Sequence, residues 1–535
     1  MYYELTTMRK QYDFLVIGTG IAGMSFALKV AHAGRVALIC KSELQESNTD
    51  LAQGGVSSVT DLTVDNFDKH IHDTMVAGDW LSDPKAVELV VKNAPEQIRQ
   101  LVEWGVDFDR KANGDFDLHR EGGHSEFRIL HHADNTGHAI QSALIEKVRN
   151  HPNIDVLEHH FAIEILTQHH LGVEVTRRTP DIECYGAYIL DEETGAIDTY
   201  LAKVTMMATG GVGQVYQNTT NPPIATGDGV AMVYRAKGTV KDMEFVQFHP
   251  TALYENGTHQ NFLITEAMRG YGGILRTLDG QEFMQKYDPR LSLAPRDITA
   301  RAIFNEMKLR GEDHELLDVT HKDPEETKKH FPNIYKKCLS IGIDITKQCI
   351  PIVPCHHYMC GGILVDYNGQ SSINRLYAAG ECSCTGLHGG NRLASNSLIE
   401  AIVYADLAAK HALPRLQELT FKYEIPDWID TGSVPHEELY LISDSKTEVQ
   451  QIMQTYVGIV RSNLRLKRAW TRLDNLYEET EKLFLRSKVN MDICELRNMI
   501  NTGYIIMRQA MERKESKGLH YSIDYPPEDR GIEGF

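Results

Sequence analysis

The tightest constraint on the fold of this chain lies close to its N-terminus. Asp13-Phe-Leu-Val-Ile17 is a short apolar run, Gly18-Thr19-Gly20-Ile21-Ala22-Gly23 follows at once, and a helical pattern from Met24 to Ala33 leads into a second apolar run, Val36 to Cys40. A bare G-x-G-x-x-G is common in turns. Set between strand and helix, it is a βαβ dinucleotide fingerprint: the first glycine makes the turn, the second admits a pyrophosphate, and the third lets helix and strand pack. The fingerprint also asks for an acid about 20 residues on, for the adenosine ribose. Here the strand runs into Lys41, with Glu43 two residues late. Lys41 stays a cofactor-binding candidate, and the ribose contact is left open.

A chain of 535 residues exceeds one core, and roughly two to four domains are expected. Val204 to Gly211 reads as another buried strand ending in glycines, and Asp228 in Thr226-Gly-Asp-Gly229 opens a helix running to Lys237. Helix capping accounts for Asp228 as well as a cofactor contact does. From Asp242 to about Pro354 the parallel-strand rhythm stops, and strands such as Phe262 to Thr265 mix with helices such as Ala294 to Leu309. The rhythm resumes at Gly361 to Val365 and continues through residue 380. After Pro426, Glu448 to Leu485 and Met491 to Glu515 are long, charged and amphipathic.

Lys plus Arg total 55 against 74 for Asp plus Glu, a formal charge of -19 that repels nucleic acid and anionic membrane. Met1 to Lys10 is polar, and no stretch approaches roughly 18 uninterrupted apolar residues. The expectation is a cytoplasmic protein with neither nucleic acid nor membrane as partner. Nine cysteines without a CxxC pair read as free thiols, with no metal site and no iron-sulfur cluster.

The most informative later stretch is Gly380 to Glu400. Behind the strand Leu376 to Ala379 it carries the acid Glu381, a run of glycines, the lone Arg392, and Ser395-Asn396-Ser397-Leu398 opening an apolar helix. A hydroxyl-binding carboxylate, close backbone approach, a cation and a helix N-terminus aimed at negative charge are thereby gathered. The loop Asn48-Thr49-Asp50-Leu51-Ala52-Gln53-Gly54-Gly55 is suited to wrapping a bulky ring, and a helix N-terminus beside a flavin favours its reduced anion. These two ends favour FAD over NAD or NADP. The chain therefore reads as α/β: a Rossmann-like FAD-binding domain in two parts, 1–242 and 357–425. An α+β capping domain, 243–356, is inserted between them, and a C-terminal helical domain spans 426–535.

Four cation-capable side chains, His249, Arg296, His357 and Arg392, stand in polar turns beside Gly or Pro. In an acidic protein that set suits a small dicarboxylate, since charge-assisted hydrogen bonds contribute about 1.5–3 kcal/mol each. Glu121, in Arg120-Glu-Gly-Gly-His-Ser125, would repel such a substrate unless it met an α-ammonium.

With these residues in place, the chain resembles the L-aspartate oxidases, within the flavoprotein family that includes succinate dehydrogenase and fumarate reductase flavoprotein subunits. Carrying motifs are Gly18 to Gly23, Asn48 to Gly55, Arg120 to Ser125, Phe248-His-Pro-Thr251, Thr265-Glu-Ala-Met-Arg-Gly270, Ala294-Pro-Arg-Asp297, His357-Tyr-Met-Cys-Gly-Gly362 and Leu387 to Leu398, with Gly458 to Asn463 as a C-terminal helix. Asn48 stands where the membrane-bound dehydrogenases carry a flavin-attaching histidine, which implies non-covalent FAD. Gly390 departs from the usual alanine, and Cys382-Ser-Cys384 from a less cysteine-rich run.

The resemblance implies FAD-dependent oxidation of L-aspartate to iminoaspartate with oxygen or fumarate as acceptor, feeding quinolinate synthase and NAD synthesis. His249, His357 and Arg392 would hold carboxylates, Glu121 would face the ammonium, Arg296 would transfer a proton, and the inserted domain would close as a lid. Two alternatives are a soluble fumarate reductase or succinate dehydrogenase flavoprotein subunit, and a non-enzymatic flavin sensor.

Overall fold

In the computed structural model, which describes residues 8–133, 135–255, 257–258, 260–429 and 439–527, the central element is a seven-stranded sheet. Its path runs Ile154–Leu157, Val36–Ile39, Arg9–Ile17, Ile197–Met207, Gly186–Asp191 and His160–Ile165, with Leu376–Ala378 also joined to Ile197–Met207. Arg9–Ile17 pairs in parallel with Val36–Ile39 (Phe14 opposite Val36) and with Ile197–Met207. Phe14 to Val16 and Val36 to Leu38 are fully buried, as strands covered on both faces must be. The helix Ile21–Val30 packs against the helix Asn396–Ala412, so chain from near residue 25 and from near residue 400 meets around one core.

The return to this sheet differs from the sequence expectation. Gly362–Leu364 joins a small sheet with Val240–Lys241 and Ser383–Cys384 instead. The returning strand is Leu376–Ala378, parallel to Ile197–Met207 with Leu376 opposite Thr205. That pairing delivers Gly380 and Glu381 to the carboxyl end of the sheet.

Val246–Leu253, Ile350–Met359, Glu315–Asp318 and Ile274–Arg276 form a separate four-stranded antiparallel sheet with its own apolar cluster around Phe283, Ile303, Leu317 and Ile350. Phe262 to Thr265 is not a strand: only Leu263 bridges Ala252. Thr265 ends it by capping the helix Glu266–Gly270, its hydroxyl accepting the Ala267 N–H at 3.4 Å.

Three helices follow near the C-terminus, Leu439–Tyr456, Asn463–Arg486 and Met491–Glu512. The single helix expected from Glu448 to Leu485, including Gly458 to Asn463, is broken at residues 457–462. Arg461, 1 % exposed, turns its guanidinium onto the Val457 and Gly458 carbonyls and the Glu244 carbonyl, while its own N–H donates to Tyr521. The Val457 and Gly458 carbonyls are the ones a continuing helix would use. Among the described residues no helix is long and apolar enough to cross a membrane.

Candidate active site

A cleft of about 1530 Å³ opens at the carboxyl ends of the parallel strands, between the sheet, the inserted sheet and the start of the helix Asn396–Ala412. That is where an open α/β sheet binds ligands. Gly18 has φ +109°, and a Cβ there would stand 2.1 Å from the Ala208 carbonyl oxygen. Gly23 does not line the cleft: a Cβ on it would lie 2.0 Å from the Gly18 carbonyl oxygen, so its part is the close approach of helix and strand. Thr19, Gly20, Ile21 and Ala22 face the opening. The Thr49 hydroxyl accepts the Ile21 N–H at 3.1 Å, fixing the following loop to the helix N-terminus.

Asn48, Thr49, Leu51, Ala52, Gln53, Gly54 and Gly55 line the same wall, but Asp50 does not. Asp50 turns outward to His138 Nδ1 at 2.8 Å and to Gln45, because its N–H closes a turn onto the Ser47 hydroxyl. The glycine turn at Gly18 and the absence of side-chain bulk at Gly20 and Gly54 fit a dinucleotide carrying a wide ring, while Gly55 is required by its approach to the Leu130 carbonyl, 2.2 Å from where its Cβ would stand.

Glu381 accepts the Asn48 side-chain N–H at 2.8 Å and the Met359 backbone N–H at 3.1 Å. Burial pushes its carboxyl up to about 7 despite those bonds and Arg392. Asn48 is thus a hydrogen-bond donor to the cleft acid. Ser397 and Leu398 both border the cleft, and the Ser397 hydroxyl lies 3.2 Å from Arg392 Nη1, tying the helix start to the substrate end.

At the other end of the cleft Lys41 occupies the place the fingerprint reserves for an acid. Its ammonium lies 2.7 Å from Asp228, 2.6 Å from Glu495 and 2.7 Å from the Thr226 hydroxyl. Burial opposes the charge, and the two carboxylates outweigh it, holding Lys41 above its usual value. Asp228 is the first residue of the helix Asp228–Arg235, with Gly227 at the N-cap.

All five residues expected at the substrate end meet in the cleft: Glu121, His249, Arg296, His357 and Arg392. The rings of His249 and His357 lie 5.3 Å apart. Both histidines are held well below their usual value, first by burial, then by Arg296 for His249 and by Arg392 for His357. They are therefore neutral at pH 7, and the positive charge acting on them comes from Arg296 and Arg392. His249 Nδ1 accepts the Thr251 N–H at 3.2 Å, so its proton sits on Nε2 as a donor. His357 Nδ1 lies 2.9 Å from the Thr220 hydroxyl.

Arg392 places Nε and Nη2 on the Gln247 side-chain oxygen at 3.2 and 2.9 Å and lies over the Tyr358 ring at 4.5 Å. With Nη1 on Ser397, three of its five N–H donors are in use. Arg296 Nε is held 2.6 Å from Glu266 Oε2, and Glu266 Oε1 lies 3.4 Å from Arg269 Nη2. Burial would raise Glu266, but Arg296 and Arg269 outweigh it and hold it below the usual carboxylate value. Glu121 comes from the loop at residues 120–125, where a Cβ on Gly122 would stand 3.0 Å from Glu266 Oε1. Glu121 Oε2 accepts the Ser395 hydroxyl at 2.6 Å, and a Cβ on Gly54 would stand 3.1 Å from Glu121 Oε1.

Sequence reasoning missed Gln247, Glu266, Arg269 and Ser395 as site residues. Glu266 and Arg269 did carry a signal, an acid and a base three residues apart in a Gly-ended helical turn. Asp117, His119 and His131 bring ligand atoms within 4.8 Å of one another on the cleft rim. The two rings stack at 3.6 Å and 20°, so their in-plane lone pairs run side by side and do not converge on one ion.

Residues 13–398 match the family described as FAD binding domain, and residues 446–531 that described as fumarate reductase flavoprotein C-term. L-aspartate oxidase 2-a, chloroplastic, of Nicotiana tabacum is 45% identical over 97% of this chain and 82% of its own length. L-aspartate oxidase of Yersinia pestis is 46% identical over 96% of each chain. Among solved structures, a quinol fumarate reductase chain of E. coli superposes with a TM-score of 0.86 at 30% identity, covering 99% of this chain and 94% of that one.

Proposed function

The chain belongs to the FAD-dependent L-aspartate oxidase family, and from that premise we propose that it oxidises L-aspartate to iminoaspartate, with oxygen or fumarate as electron acceptor. The observation that carries this reading is the contrast between two carboxylates of the pocket: Glu266 is paired with Arg296 and Arg269, whereas Glu121 faces the same cleft with the Ser395 hydroxyl on one oxygen. A dicarboxylate alone leaves that acid without a partner. An α-ammonium supplies one.

FAD, when bound, would supply a two-electron acceptor, and the glycine turn at Gly18 to Ala22, the loop Asn48 to Gly55, Glu381 and the helix start at Ser395 to Leu398 are the residues that would hold it. Arg392 and Arg296 offer fixed guanidinium donors to the substrate carboxylates, with His249 Nε2 and His357 as neutral donors. Each charge-assisted bond contributes about 1.5–3 kcal/mol. As the Cα–H bond breaks with its electron pair, the ammonium nitrogen must shed protons, and Oε1 of Glu121 is an acceptor beside it while Ser395 holds Oε2. When fumarate is reduced, Arg296 is the donor for the second carbon, and Glu266 links its guanidinium to Arg269. The paired strands Val246–Leu253 and Ile350–Met359 bring both histidines to the cleft, and with FAD and substrate bound their closure would exclude water.

Glu381 gives this reading a pH signature. Its raised carboxyl keeps a proton in the apoprotein between about 4.5 and about 7, where the unfolded chain has lost it, so apoprotein stability falls as pH rises through that window. A cofactor hydroxyl donating to the carboxylate favours the ionised form, so binding expels the proton and affinity rises with pH. FAD should bind the apoprotein about tenfold more weakly at pH 6 than at pH 8. Glu381→Gln should flatten that dependence in a fluorescence titration; an unaltered slope contradicts the role.

A fumarate reductase reading explains the arginines and histidines, but not Glu121. A flavin sensor explains neither. The nine cysteines are all free, which supports placing the protein in a reducing compartment such as the cytoplasm. Because imines hydrolyse in water, the product is suited to prompt use by quinolinate synthase. The reading is tested by whether L-aspartate, and not succinate, reduces the bound flavin without oxygen.

A further inference from the structure

The helix Met491–Glu512 reaches the adenosine end of the cleft without lining it. Glu495 sets Oε1 2.6 Å from Lys41 Nζ, and its Oε2 is held at 2.9 Å by Lys446 of the helix Leu439–Tyr456. Three residues on, and so on the same helix face, Asn498 donates from Nδ2 to Asp228 Oδ1 at 2.7 Å and accepts Arg235 Nη1 at 2.7 Å. Asp228 Oδ1 also accepts the Thr226 hydroxyl at 2.8 Å. Lys41 and Asp228 both face the cleft; Glu495 and Asn498 stand behind them.

The lysine at the end of the second strand is therefore not a free cation. One carboxylate from the nucleotide-binding fold and one from the C-terminal helix hold its ammonium, and an amide of the same helix orients that first carboxylate. A lysine stem is long and rotatable, so a single partner leaves its ammonium able to swing, whereas two opposed partners fix it. Two ammonium groups, Lys41 and Lys446, share Glu495 between them, with Asp228 on the far side of Lys41 and the more exposed Asp492 on Lys446. Removing the charge of Glu495 takes away the one acid that both cations touch.

We propose that Glu495 and Asn498 are positioning residues for the adenosine half of FAD, acting through Lys41 and Asp228, so that this half-site is complete only with the C-terminal helix docked. The inference rests on the FAD reading. By reciprocity, bound cofactor tightens the helix as the helix tightens the cofactor. A plain tertiary staple would instead stabilise the chain without acting through Lys41.

The test is a double-mutant cycle on apoprotein titrated with FAD by flavin fluorescence, with ADP as a competing probe of the adenosine half. Glu495→Gln should raise the Kd of FAD about tenfold and that of ADP by a similar factor. In a Lys41→Ala background the same substitution should add less than about twofold. An unchanged Kd in the wild-type background, or an equal loss with Lys41 absent, would overturn the proposal. If Glu495→Gln does not fold, Asn498→Ser carries the test against Asp228→Ala, with the same two outcomes. Wild-type apoprotein that binds no FAD refutes the cofactor reading itself; wild-type binding with indifferent variants refutes only the positioning role.

Discussion

Arg296→Leu is expected to lower the turnover of fumarate reduction by about 10²–10⁴-fold, the usual contribution of a positioned acid, while the flavin stays bound. The expectation follows from placement. Arg296 reaches the cleft from the start of the helix Arg296–Arg310, its Nε fixed by Glu266, and the two histidines that share the substrate end with it are neutral and cannot replace its charge. Lys41 is held by Asp228 and Glu495, and Lys337 by Glu255. A leucine keeps some of the bulk and none of the donors, so binding of the dicarboxylate should weaken as well. Glu266→Gln, which leaves Arg296 without its carboxylate partner, should show a smaller loss in the same direction. Flavin reoxidation by fumarate at the wild-type rate in Arg296→Leu would remove this arginine from the reaction.

Glu121→Gln separates substrates. Losing one partner of a desolvated charge pair costs about 2–5 kcal/mol, so kcat/KM for L-aspartate should fall by roughly 30-fold to several thousand-fold. Glutamine keeps an oxygen for the Ser395 hydroxyl, and the loop Arg120 to Ser125 should hold its shape. For fumarate and succinate the same change removes an anion from a site for anions, and their kcat/KM should hold or rise. An equal fall for all three compounds would mean that Glu121 supports the loop and reads no ammonium.

Much of this was legible in the sequence because local order and chemistry coincide there. The run from Asp13 to Cys40 needs no distant partner to declare itself: strand, glycine turn and helix are consecutive. His249, Arg296, His357 and Arg392 were readable as a set because each sits in a turn at an element end, and turns at element ends are what a cleft collects. What stayed hidden depends on chain segments that meet only in three dimensions. The neutrality of His249 and His357 comes from burial beside two arginines, which residue type does not reveal. The outward turn of Asp50 depends on His138, and the broken helix at residues 457–462 on a carbonyl of Glu244 and the strand-like segment at Tyr521. Glu495 and Asn498, more than 450 residues from Lys41 in sequence, could not be paired with it by spacing.

Glu121 and Ser395 show the same limit at the heart of the site. The acid was visible as an anomaly in a cationic pocket. Its partner was visible only as a helix opening, since nothing in Ser395-Asn396-Ser397 says that the first serine takes φ +61° and turns its hydroxyl to an acid some 274 residues earlier. In the proposed reading, substrate choice rests on segments far apart in sequence, the loop that carries Glu121 and the helix start at Ser395, brought together by one hydrogen bond.

The most direct measurement is the visible spectrum of the FAD-loaded protein mixed with L-aspartate in the absence of oxygen. The account expects rapid bleaching of the oxidised flavin band, followed by recovery on admitting either fumarate or oxygen, and little bleaching by succinate at the same concentration. Bleaching by succinate with none by L-aspartate would contradict it and would make the protein a dicarboxylate oxidoreductase whose Glu121 has some other use.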